Sequence, residues 1–271
     1  MRVLFLGDIV GRSGRTAVLS HLPELKEKLS LDFIVANAEN AAGGFGLTEQ
    51  ICNELFDAGV HVITSGNHVW DQKETPSYIS REPRVLRPAN FPAGTPGRGV
   101  AVHQDGRGRT AVVINVMGRI FMDPLDDPFA VVKAELDRIS LGRNAHFVLI
   151  DVHGEATSEK MAMGHFADGR ATLVVGTHSH VPTADCQILP GGTAYQTDAG
   201  MCGDYDSVIG MDKQEPLQRF TRKIAQGRFT PALGEGTLCG VFVESDDATG
   251  LARHVAPVRV GGRLQPALPA L

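Results

Sequence analysis

Cysteine is scarce and scattered: Cys52, Cys186, Cys202 and Cys239 form no CxxC pair. That spacing excludes a dense disulfide framework and suits buried thiols in a reducing compartment, so a cytoplasmic location is expected. No apolar run approaches the ~20 residues that a membrane span needs. The N-terminal "MRVLFLGDIVGRSGR" meets an aspartate early and has no small-residue cleavage site, which makes it a first strand and not a signal peptide. Basic residues are not in excess, 26 against 31 acidic for a net charge of −5, so stable nucleic-acid binding through a basic surface is not expected. Small anionic substrates remain open, because a local metal or helix terminus supplies charge that the total hides. There is no internal repeat and no low-complexity linker. A single domain over residues 1–271 is expected, with roughly the last ten residues, in "GGRLQPALPAL", a loose tail.

What the chain does have is a 42% hydrophobic share, ample for a core, distributed in short β-type runs. "RVLFLGD", "DFIVANAEN", "VHVITSGNH", "AVVINV", "HFVLIDVHGE" and "TLVVGTHSH" recur along the sequence. The early ones alternate with the helix-like "RTAVLSHLPELKEKLS" and with "TEQICNELFDAG", which opens on an N-cap threonine and closes on glycine. That alternation predicts an α/β fold with a largely parallel, doubly covered sheet. The second half reads differently. A hairpin is expected to turn at Asp105–Gly108 and another at Pro190–Gly192, with a helix over "PFAVVKAELDRIS" and antiparallel strands near the C-terminus. An antiparallel or mixed sheet is therefore expected there.

The chemistry-bearing residues collect at strand ends. Apolar runs finish in Asp8, in Glu39 and Asn40, in Asn67 and His68, in His153, and in His178 and His180. In open α/β sheets, sites form where loops converge at the carboxyl ends of strands. Any one of these residues alone is more readily a cap, a turn or a core-edge histidine. Repetition at five strand ends favours a shared cleft. The remaining histidines (His21, His61, His103, His146, His165, His254) lack that context and read as structural or surface residues.

Carboxylates, amides and imidazoles without thiolates disfavour a closed structural zinc site. The mixture suits manganese, iron or zinc in an open catalytic site, and there are enough donors for two ions sharing a bridging carboxylate. Rival motifs fail. "GDIVGRSGR" matches neither GxxxxGK(S/T) nor GxGxxG, and no GxSxG elbow is present. Arg12 or Arg15 beside those glycines is a candidate phosphate contact; no other substrate-binding residue stands out.

The order Asp, acid, GNH, His, GTHSH resembles the calcineurin-like metallophosphoesterase superfamily. The stretches "ANAENAAGGFG", "TSGNHVWD", "HGEATSEKMAMG", "GTHSHVPTAD" and "ILPGGTAYQTDAGMCG" resemble its YmdB-like bacterial branch, between Gly7 and Asp212. The resemblance implies a four-layer α/β/β/α sandwich with two mixed sheets and two divalent or trivalent metal ions, iron or manganese, with zinc also compatible. It implies a phosphodiesterase acting on 2′,3′-cyclic nucleotides to give 3′-phosphates through a metal-activated hydroxide. By position, Asp8, Asn40 and His180 would bind metal one, Asn67, His153 and His178 metal two, and Glu39 both, with His68 the general acid. Two departures from the superfamily are plain: Ile9-Val10 replaces the histidine of Asp-x-His, and "NAEN" stands where GDxxD is common. Two alternatives are a broad-specificity phosphomonoesterase or phosphodiesterase at the same site, and a metal-stabilised regulatory protein. Self-association through "RIFMDPLDDPF" or the Asp105 hairpin is left open.

Overall fold

The computed structural model describes residues 1–270. In its first half, apolar β-runs and helices alternate as the sequence predicts. Strand β1 (Arg2–Leu6) leads through the two-residue β2 (Asp8–Ile9) into helix α1 (Gly11–Lys28). Strand β3 (Phe33–Asn37), helix α2 (Glu49–Asp57), strand β4 (Val62–Thr64) and the short helix α3 (Thr75–Arg81) follow. The hydroxyl of Thr48 caps α2 by accepting from the Ile51 amide, and Gly59 takes up the positive φ past its end. Helix α1 begins four residues earlier than its apolar spacing suggests, because Gly11 supplies the left-handed turn out of β2.

Strands β5 (Val100–Gln104) and β6 (Thr110–Met117) form the expected hairpin around Asp105–Gly108. Then come α4 (Pro128–Leu136), β7 (Phe147–His153), α5 (Thr157–Ala167) and β8 (Leu173–Thr177). A second hairpin joins β9 (Gln187–Ile188) to β10 (Ala194–Gln196), and β11 (Met201–Cys202) pairs in parallel with β2. Helix α6 (Gln214–Arg222) precedes the long strands β12 (Leu238–Ser245) and β13 (Ala252–Val260).

Two mixed sheets result, in the orders β13-β12-β1-β3-β4 and β5-β6-β7-β8-β10-β9. The period-2 geometry of each strand sorts its side chains between layers. Leu4 and Leu6 join Val18, Leu22, Ile51 and Leu55 under the first helical layer, whereas Val3 and Phe5 meet Val113, Phe147, Leu149 and Val175 between the sheets. On the far side, Val112, Ile150 and Val174 pack with Val132, Leu136 and Met163 from α4 and α5. This is the four-layer α/β/β/α sandwich, and both sheets are covered on both faces, so their strands read as continuous apolar runs. The C-terminal segment departs from its expected looseness. Gly261 and Gly262 turn the chain, and Ala267 exchanges two backbone hydrogen bonds with Arg259 (2.8 and 3.0 Å), which ties the segment back to β13.

The parallel strands of the two sheets deliver their carboxyl ends to one edge. Asp8, Glu39, Asn40, Asn67, His68, His153, His178 and His180 all follow or finish such strands.

Candidate metal centre

Each donor is set by the backbone that carries it. Asp8 and Glu39 are fully buried, at 0% and 1% exposure. Neither Asp8 Oδ1 nor Glu39 Oε1 has a hydrogen-bond partner. A buried, unpartnered carboxylate oxygen costs the full desolvation of a charged acceptor unless something positive meets it. The potential ligand atoms fall into two triads sharing one acid: Glu39, His153 and His178, and Asp8, Glu39 and His180, each set within 4.8 Å of one another.

The histidine tautomers follow from their outer partners. Thr177 Oγ1 gives its single proton to Asp151 Oδ1 at 2.7 Å, so it accepts from His153 Nδ1 at 2.9 Å. That leaves His153 Nε2 facing Asn67 Oδ1 (2.9 Å), Glu39 Oε1 (3.1 Å) and His178 Nδ1 (3.1 Å). His180 Nδ1 lies 2.8 Å from the Ile209 carbonyl, which only accepts, so it carries the proton and Nε2 is bare. That bare nitrogen faces Asn40 Oδ1 at 3.2 Å, and the Asn40 amide nitrogen is committed to the Gly44 carbonyl at 3.0 Å. Two lone pairs therefore point at each other. His178 donates from Nε2 to Glu155 Oε2 (3.2 Å) and turns Nδ1 inward. Outer groups that fix the tautomer and aim the lone pair are the ordinary support of a metal-binding histidine.

Electrostatics show the same need for positive charge, which a second proton on His153 meets wherever a metal ion does not. Burial pushes the Asp8 carboxyl up to about 7 against the pull of His180 and His153. Burial also opposes ionisation of Glu39, yet positive charge at His153 holds it well below the usual carboxylate range. Burial works against a charged His153 too, but Glu39 and Asp8 raise it to about 9, while burial and His153 lower His178 to about 3. The pocket thus demands positive charge at its centre. The donor chemistry, the orphaned oxygens and the opposed lone pairs all fit metal ions.

The "GTHSH" turn is strained: His178 and His180 both have positive φ, 101° and 62°, which costs a non-glycine residue energy that its surroundings must offset. A buried ion pair does so. Lys160 Nζ of α5 binds Asp198 Oδ2 (2.9 Å) and the Thr177 carbonyl (3.2 Å), and the same Asp198 oxygen accepts from Ser179 N (3.1 Å) and Oγ (2.7 Å). Lys160→Met is expected to lower unfolding stability by about 3–5 kcal/mol, because Asp198 is left charged and unpaired, and to weaken metal retention with it. Urea denaturation and metal analysis of the variant check both. Gly66 is needed at the centre itself, since a Cβ there would overlap the His153 ring and the Glu39 carboxylate.

His68 stands apart from both triads. Its Nδ1 is 2.7 Å from Asp71 Oδ2, its ring packs edge-on to Phe45 at 5.1 Å, and its backbone amide donates to Glu39 Oε2 at 3.2 Å. With Nδ1 held by Asp71, the other ring nitrogen is left for the cleft that His68 lines. The cleft has a volume of about 570 Å³, a floor of Glu39, Asn40, His178 and His180, and a wall that includes Phe45, Met211 and Phe220.

All eight strand-end residues therefore meet at one edge. The other six histidines lie outside both triads; His61 and His103, for example, stack around Phe33, and His146 accepts from the Thr110 amide. Neither Arg12 nor Arg15, the candidate phosphate contacts, lines the cleft. Arg15 donates to the Ala41 carbonyl, holding the loop after Asn40, and Arg12 lines a separate groove with His21 and Gly234. Sequence reasoning missed Asp71, Asp151, Thr177, Lys160 and Asp198. Of these only Asp71, three residues after His68, carried a spacing signal.

A four-layer α/β/β/α sandwich with a histidine–carboxylate–amide cluster at its sheet edge defines a metallophosphoesterase of the calcineurin-like superfamily. A family model described as YmdB-like protein matches residues 4–258, and the chain belongs to that family. It is 49% identical over 249 residues to the 2′,3′-cyclic-nucleotide 2′-phosphodiesterase of Bacillus subtilis (strain 168), covering 92% of this chain and 93% of the relative. Among solved structures, a hypothetical protein from Thermus thermophilus superposes with a TM-score of 0.90 at 43% identity, over 97% of this chain and all of that one. A novel phosphatase from Mycoplasma pneumoniae gives 0.89 at 33% identity, over 96% and 93%.

Proposed function

We propose that this chain is a phosphodiesterase that opens 2′,3′-cyclic nucleotides to 3′-phosphates at a two-metal centre. The observation that carries the reading is the pair of donor triads joined at Glu39, with His68 beside them but outside both. The substrate class is supported by the name of the Bacillus subtilis relative, with which nearly the whole chain aligns.

Asp8, Asn40 and His180 would hold one ion, Asn67, His153 and His178 the other, and Glu39 would bridge them. The donor set suits iron or manganese, with zinc compatible. Bound ions would supply Lewis acidity, activating water and neutralising charge on the phosphoryl oxygens. The chain's own groups do the rest. Asp71 fixes His68 with Nδ1 protonated; His68, cationic before the step, donates from Nε2 to the departing ribose 2′-oxygen. A water oxygen bonds to phosphorus as the P–O2′ bond breaks and the 3′ bond stays; the water's proton passes to solvent, and His68 is left neutral until solvent returns its own. The core shared by the two sheets supports a single domain, and the four free cysteines are consistent with a cytoplasmic setting.

A substrate panel on metal-loaded protein tests this. 2′,3′-Cyclic nucleotides should be turned over at least tenfold more efficiently than nucleoside monophosphates, with the 3′-phosphate the main product. Faster hydrolysis of monophosphates would instead identify a phosphomonoesterase.

A further inference from the structure

The cleft has two chemically distinct zones. Its floor is charged and polar, whereas the wall formed around α6 is apolar, with Ile209, Met211, Phe220 and Phe229 lining it and Phe45 on the side of His68. Helix α6 is an odd element for a core to need, since only Pro216 among its residues is buried. Phe220 lines the cleft yet remains 72% exposed, and Ile209 is 54% exposed. An exposed aromatic ring at the mouth of a cleft does little for folding.

The segment carrying that ring is nonetheless held. Arg219 packs its guanidinium 4.0 Å from the centre of the Phe229 ring, donates to Glu215 (2.7 Å) and donates to the Gly227 carbonyl (2.8 Å). Glu215 also accepts from the Gln226 amide at 3.2 Å, which closes the loop after α6 onto its first turn. An apolar surface fixed in this way is pre-organised for a flat ligand.

Resting on the phosphodiesterase reading and deepening it, we propose that the α6 wall, with Phe220 as its principal ring, is the nucleobase subsite. The phosphate lies on the donor floor and the base stacks against the wall. The wall offers ring faces and methyl groups but no hydrogen-bonding side chain; of the polar groups that line the cleft outside the floor, the Ser179 hydroxyl is committed to Asp198 at 2.7 Å and the Glu155 carboxylate accepts from His178 at 3.2 Å. It therefore recognises the face of the base and not its edge, and the enzyme accepts all four bases with similar efficiency.

Glycerol 1,2-cyclic phosphate provides the comparison, because it carries the same five-membered cyclic ester without a base. Phe220→Ala is expected to lower the ratio of kcat/KM for 2′,3′-cyclic AMP to that for the glycerol ester roughly tenfold, mainly through KM, and Phe220→Trp should restore it. A ratio unaltered by Phe220→Ala would overturn the proposal, as would a hundredfold preference for one base. A loss of self-association in Phe220→Ala, seen by sedimentation with the ratio unaltered, would assign the wall to a second copy of the chain instead. Calorimetry with adenosine 3′-monophosphate separates the two levels of the account. Binding weakened by Phe220→Ala, with neither ester hydrolysed by the unaltered protein, would overturn the phosphodiesterase reading and support the base subsite. Hydrolysis of both esters with that binding unaffected would overturn the base subsite alone.

Discussion

Glu39→Gln is expected to reduce bound metal from two ions per chain to at most one, and to cut hydrolysis on the order of 10³-fold or more. The size of the effect follows from the position of Glu39 in both donor triads. Glutamine has nearly the same shape and keeps an oxygen to accept from the His68 amide, a bond of 3.2 Å in the native site. What it removes is the negative charge that two ions would share. Metal analysis and a thermal melt on the same sample separate loss of ligand from loss of fold. Retention of both ions and of activity would show that Glu39 is a structural acid and that the two triads are not one centre.

His68→Ala is expected to lower kcat for 2′,3′-cyclic nucleotides by about 10²–10⁴ while metal content stays at the native level. The ring lies outside both triads, so its removal takes no donor from them. Leaving-group chemistry provides an internal control. A ribose alkoxide is a poor leaving group and needs a proton, whereas a nitrophenolate leaves without one. The same variant should therefore lose much less activity on bis(p-nitrophenyl) phosphate. An equal loss on both esters would mean that His68 positions the substrate and does not protonate it. Loss of metal would make His68 a ligand.

The strand ends were legible because a buried strand is an unbroken apolar run, and the first polar residue after it marks where the chain leaves the sheet. Asp8 follows that rule outright, whereas Glu39, Asn67 and His153 come one or more residues after a buried polar side chain of the same strand, Asn37, Thr64 and Asp151. The two-sheet sandwich was less open to such logic. Runs such as Val112–Ile114 and Phe147–Ile150 are apolar on both faces, and nothing local says which face meets helices and which meets the other sheet. Helix α5 was hidden because its apolar pattern is blurred: Lys160 is buried for its ion pair, and Gly164 is there to admit the Tyr195 ring. Helix α6 packs too little to show a core-facing stripe.

Within the site, residue identity was legible but support was not. The short "GTHSH" motif shows two imidazoles; it does not show that both stand at positive φ or that Lys160 and Asp198, distant in sequence on either side, hold the turn. Likewise, the tautomers of His153 and His180 depend on Thr177 and on the Ile209 carbonyl, contacts that only the folded chain makes. Arg12 and Arg15 look alike beside a glycine-rich turn, yet in the fold Arg15 is held by the Ala41 carbonyl and Arg12 lines a separate groove.

The central claim is that one buried glutamate joins two metal sites, and anomalous diffraction from crystals of the metal-loaded protein tests it most directly. The account predicts two peaks, one amid Asn67, His153 and His178 and one amid Asp8, Asn40 and His180, with the Glu39 carboxylate between them. A single peak not touching Glu39, or ions bound elsewhere on the chain, would contradict it.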